Sequence, residues 1–148
     1  LEELLNQVGA SYHENACHLA LSPWTTDPIF GKLTPQQQET LLQHDRELLN
    51  WQITKSPIST VLFNGATVYK TIEAAQNYHL QKVGELTYTS GGQVRTSDLI
   101  NGDGPQGESI FGWTVNLQAL QATVEERAEV MAKLADWLKN ECKIDSRI

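Results

Sequence analysis

The sequence predicts an α/β chain: a three-layer α/β/α sandwich with a mostly parallel central sheet and an added β-hairpin. Three observations carry that expectation. Residues 15–78 read strand, helix, strand, helix, the order that builds a parallel sheet with right-handed crossovers. Two helix starts carry capping boxes, at Thr34 with Gln37 and at Thr123 with Glu126. A Gly-Gly pair between two alternating runs marks the hairpin.

Taken in order, "LEELLNQVG" places Leu1, Leu4, Leu5 and Val8 at helical spacing, with Gly9 positioned to end the helix. "NACHLAL" alternates and is apolar enough for a buried strand, and it runs into the turn "PWTTDP". The next helix opens with Thr34 as N-cap and Pro35 in its first position and runs to about Thr54. Its stripe of Leu41, Leu42, Asp45, Leu48, Leu49 and Ile53 is expected to cover the sheet.

"ISTVLF" is β-branched and nearly continuously apolar, which suits a central parallel strand buried on both faces. After Asn64-Gly65, "ATVYKTIEAAQNY" returns to helical spacing through Val68, Ile72 and Ala75. "VGELTYT" and "QVRTSDL" flank the "SGG" turn, and "SIFGWTVNL" is a further strand. "TVEERAEVMAKLADWLKNEC" closes the chain as a strongly periodic helix, its apolar side made by Val124, Val130, Met131, Leu134, Ala135, Trp137 and Leu138.

All 148 residues fit one domain, with neither internal repeat nor low-complexity linker. Because the chain begins at Leu1 without a methionine, an upstream element is left open. No leader or bilayer-spanning run is visible in the sequence. Cys17 and Cys142 stand apart, without a CxxC pair, and read as free thiols of an intracellular, cytoplasmic protein. Eighteen acids against eleven bases give a net charge of −7, which opposes general binding to a phosphate backbone.

Several motifs are weighed against their plainer readings. "GDGPQG" spells G-x-G-x-x-G, but a strand follows where a dinucleotide fingerprint needs a helix, so it reads as a loop. Asn101 and Asp103 lack the ligand spacing of a calcium loop. His13, His18, His44 and His79 are scattered, without metal-ligand spacing, and neither a nucleophile elbow nor a phosphate loop is present. No metal and no cofactor is expected.

The informative pattern is positional. In an open α/β sheet, ligands bind beyond the carboxyl ends of the strands. Three of the expected strands end in polar or aromatic residues: Ser22, Trp24, Thr25, Thr26 and Asp27; Asn64 and Gly65; Asn116 and Gln118. Asn and Gln carry the paired donor and acceptor that read a nucleobase edge, and Trp offers a stacking face. The ligand-binding set is therefore Trp24, Thr26, Asp27, Asn64, Asn116 and Gln118. On the plainer account Asp27 serves a turn, Trp24 the core, and Asn64 a tight Asn-Gly turn.

The stretches "ACHLALSPWTTDP", "LLNWQITKSP", "STVLFNGATV" and "IFGWTVNLQ" fall in an order that resembles the later part of the uracil-DNA glycosylase superfamily, over residues 14 to 140. That resemblance implies an α/β/α fold and a nucleobase or DNA ligand, with hydrolytic base excision in DNA repair if an upstream loop completes the site. The family's water-activating loop has no counterpart in residues 1 to 13. Its late His-Pro-Ser type loop falls on Asn116–Leu120, which contain neither histidine nor proline. A reading from another class is a non-catalytic protein-interaction module with an acidic surface.

Overall fold

The computed structural model describes residues 1–19, 30–75 and 77–142, the side chains of His44, Glu141 and Cys142 excepted. Helix α1 (Glu2–Gln7) comes first; a 3-10 turn (Phe30–Lys32) then precedes α2 (Pro35–Lys55), strand β1 (Thr60–Asn64) and α3 (Ala66–Glu73). Strands β2 (His79–Ser90), β3 (Gln93–Asp103) and β4 (Ser109–Trp113) follow, then α4 (Val124–Cys142). Both capping boxes form: Thr34 Oγ1 accepts from Gln37 N at 3.2 Å, and Thr123 Oγ1 accepts from Glu126 N at 3.1 Å.

The strands form one mixed sheet in the order β1-β4-β3-β2. Among the described strands only β1 and β4 are parallel, with Thr60 opposite Ser109 and Asn64 opposite Trp113; the other pairs are antiparallel. This corrects the expectation of a mostly parallel sheet. The hairpin is no appendage. Its strands are 12 and 11 residues long, and β3 pairs with β4, so the hairpin supplies half of the sheet. The parallel pair is joined through α3 and that hairpin rather than through one crossover helix.

Two further expectations change. β1 lies at an edge among the described strands, not at the centre. Its continuous apolar run is explained by its two covered faces, Leu62 packing against one core cluster and Phe63 and Val61 belonging to the other. The expected first strand is not seen in its described part: Ala16–Leu19 are irregular, and residues 20 and 21 lie outside the described residues.

Side-chain alternation sends neighbouring residues to opposite faces. On one face Leu86, Tyr88, Leu99, Phe111 and Trp113 pack under Leu4 of α1, its C-cap Val8, and Val130, Leu134 and Leu138 of α4. Phe111 and Trp137 meet edge to face, with ring centroids 6.3 Å apart. On the other face Phe63, Ile100 and Ile110 pack with Ile72 of α3 and with Tyr78. Among the described residues, helix α2 contributes to neither cluster. Its buried stripe is Leu42, Asp45 and Ile53, and the Tyr78 hydroxyl donates to Asn50 Oδ1 at 3.0 Å. The expected stripe holds in part: Leu48 is exposed, and among the described residues α2 is not seen packed in either sheet cluster.

The hairpin turn is Gly91-Gly92 with φ of 60° and 75°, the left-handed pair that a two-residue turn of matching twist requires. Glu126 reaches both of their amides, at 3.3 and 3.1 Å, while it also accepts from Thr123 N at 2.9 Å. One carboxylate thus caps α4 and holds the hairpin tip against it. Lys133 of α4 donates to the Thr87 carbonyl on the outer strand at 2.8 Å, which blunts that edge.

Candidate functional site

The parallel pair places the carboxyl ends of β1 and β4 side by side, so Asn64 and the segment after Trp113 share one edge. Gly65 turns the chain from β1 into α3 with φ of 106°, a conformation that side chains rarely adopt. Its Cα faces Asn116, whose Cβ would stand 3.7 Å from any added Cβ. The two asparagines touch: Asn64 Nδ2 donates to Asn116 Oδ1 at 3.1 Å.

The rest of the Asn64 amide is committed inward. Its Oδ1 accepts from the Trp113 indole at 2.8 Å and from Leu117 N at 2.9 Å. Both partners can only donate, which fixes the amide's orientation. Asn116 Oδ1 also accepts from Gln118 N at 3.1 Å and so caps the 3-10 turn Leu117–Ala119. Arg127 of α4 grips the same turn from its far side, donating to the carbonyls of Leu117 at 2.7 Å and Leu120 at 2.8 Å.

Three of the six expected ligand residues therefore stand together. Asn116 and Gln118 are exposed, and Asn64 is half-buried beneath them. Trp24, Thr26 and Asp27 lie outside the described residues, as do Ser22 and Thr25. Among the described residues, what remains available at the rim is neutral: the amide nitrogen of Asn116, the side-chain amide of Gln118 and the second proton of Asn64 Nδ2. Such groups can align the planar edge of a ligand. They have no ionisable proton to give or take.

Ser97, Trp113 and Arg127 organise this edge and were not singled out by the motifs. Ser97 Oγ accepts from Thr114 N at 3.1 Å and Val115 N at 3.0 Å, holding the chain as it leaves β4. The signal for Ser97 was present: alternation in "TSDL" puts a small polar residue on the same face as Leu99. Arg127 carries no such mark, because a helix surface arginine looks alike whether or not it meets a loop.

An open concavity of about 650 Å³ lies away from this edge, at the amino end of β4. Glu73, Tyr78, His79, Gln81, Asn101 and Asp103 are among its walls. Burial first, and the charge of Glu108 second, push the Tyr78 hydroxyl above its ordinary pKa, so near neutral pH it stays a donor to Asn50. The "GDGPQG" loop closes the β3–β4 hairpin around the buried Glu108, whose Oε2 accepts from Gln106 N at 2.8 Å. Among the described residues no group of three or more His, Cys, Asp and Glu can hold a metal ion, and no helix is long and apolar enough to cross a membrane. His13, His18 and His79 are exposed and lie on separate segments, with His18 ring-to-ring with Tyr12 at 6.3 Å.

Comparison with family models, curated proteins and solved structures finds no match to this chain.

Proposed function

We propose that the chain binds a neutral planar ligand of the nucleobase class at the carboxyl edge of the β1/β4 pair, through Asn116 and Gln118, with Asn64 as the organiser beneath them. The observation that carries this reading is the Asn64–Asn116 hydrogen bond, which brings two amides widely separated in sequence to one rim. The resemblance to uracil-DNA glycosylases supports the ligand class. Binding rather than excision is the reading, because the amides at this edge supply orientation and not a proton or a nucleophile.

Titration of free uracil and of a uracil-containing single-stranded oligonucleotide, followed by chemical shifts of the side-chain amides, tests it. Shifts centred on Asn116 and Gln118, lost in an Asn116→Ala/Gln118→Ala variant, are expected. Absence of shifts for both ligands overturns the reading. Uracil release from the oligonucleotide would replace binding with catalysis.

A second reading, a protein-interaction module with an acidic surface, is favoured by Leu48 and Trp51, which stand 42% and 59% exposed on α2 in a chain of net charge −7.

A further inference from the structure

Helix α2 has two unlike sides. Leu42, Asp45 and Ile53 are buried, and Leu49 is half-buried between them. At 100° per residue the opposite side is centred on Trp51, with Glu47 one turn before it, Lys55 one turn after it and Leu48 alongside. All four are exposed. Among the described residues neither Glu47 nor Lys55 has an ion-pair partner.

The spacing makes this side complementary to itself. Glu47 and Lys55 lie four residues either side of Trp51. When two copies of α2 lie antiparallel with a two-fold axis at Trp51, Glu47 of each falls opposite Lys55 of the other. A two-fold interface requires just this reciprocity, residue i meeting j while j meets i. The indoles and Leu48 side chains then fill the centre, and two ion pairs close the ends.

We propose that this face of α2 is a self-association surface, whose occupant is the α2 helix of a second copy in antiparallel register about Trp51. The inference rests on the interaction reading above and names its partner; it shares no residue with the ligand edge. Two apolar side chains per copy fall well short of the roughly 800 Å² that each partner buries in a stable interface. The association is accordingly weak and reversible, with a dissociation constant on the order of 0.1 mM.

Sedimentation velocity between about 10 µM and 1 mM reads it on the whole chain. The expected result is a sedimentation coefficient that rises with concentration and stays monomeric for Trp51→Ala. Glu47→Lys and Lys55→Glu, each setting like charges opposite one another, should each weaken association about threefold or more. The double variant Glu47→Lys/Lys55→Glu exchanges the charges and should restore it. All three charge variants are surface changes, and unchanged circular dichroism confirms that each is folded. A chain monomeric at every concentration, or a double variant as weak as the singles, overturns the pairing. In the first case a pull-down with Trp51→Ala as control decides separately whether another protein uses this face.

Discussion

The indole N–H of Trp113 donates to Asn64 Oδ1 across the parallel pair at 2.8 Å, joining the last residue of β1 to the last residue of β4. Trp113 is only 1% exposed, so this donor has no water to turn to. A residue that ends a strand with an apparently free amide is instead the fastening of that strand to its neighbour and to the turn beyond.

Asn64→Ala leaves the Trp113 indole and Leu117 N without their acceptor. Each buried donor stranded in this way costs about 1–3 kcal/mol, so a loss of about 2–4 kcal/mol is expected on urea denaturation. Asn64→Asp keeps an acceptor for both and loses only the bond to Asn116. It should cost less than the alanine variant. Equal losses from the two would mean that the inward hydrogen bonds contribute little.

Gly112 lies against the ring of Phe63, and a Cβ at that position would stand 2.3 Å from two of its ring carbons, far inside contact distance. Gly112→Ala therefore forces β1 and β4 apart or rotates Phe63, an overpacking cost of about 1–3 kcal/mol. Phe63→Leu alone also destabilises, by leaving space in the cluster with Ile72 and Ile110. Combined, the two changes should cost less than the sum of their separate losses, because the smaller side chain makes room for the methyl group. Strict additivity in thermal or urea melts would place the strain of Gly112→Ala elsewhere.

Local signals were legible where the chemistry is local. Thr34, Pro35 and Gln37 mark one helix start, Thr123 and Glu126 another, and Gly91-Gly92 the hairpin, since each is decided by hydrogen bonds within a few residues. Strand order was not legible. "ISTVLF" is apolar on both faces whether it sits at the centre or at an edge, and nothing in its residues says that β4, rather than another strand, lies beside it. The candidate edge was half legible: strand ends placed Asn64 and Asn116 together, but only the side-chain hydrogen bonds show that Asn64 Oδ1 is already occupied.

The same distinction sets the relative importance of two leucines. Leu134 of α4 is fully buried against the sheet cluster, and Leu134→Ala should cost about 2–5 kcal/mol. Leu49 of α2 had the periodic spacing of a sheet-covering residue, yet it is half-buried and belongs to neither cluster. Leu49→Ala should fall below that range. Guanidinium denaturation of the two variants side by side checks the order; a greater loss at Leu49 would make α2 part of the main core.

Glu126 links acidity to the hairpin. Hydrogen bonds from Thr123 N, Gly92 N and Gly91 N hold its carboxyl below the ordinary value of 4.5, and burial opposes them only in part. A carboxyl whose folded pKa is depressed adds stability above its unfolded pKa, and that contribution disappears as pH falls through the lower folded value. Glu126→Gln has no such titration and should be less stable than the parent near neutral pH. The gap between the two should narrow as pH drops below about 4.5. Amide exchange at Gly91 and Gly92 should accelerate in the variant at neutral pH, and in the parent the protection of these amides should fall over the same acidic range. Since every other carboxylate titrates in both proteins, the difference between their stability curves isolates Glu126. A difference that stays constant from pH 7 to about 3 would mean that the carboxylate charge contributes nothing to holding the hairpin tip on α4.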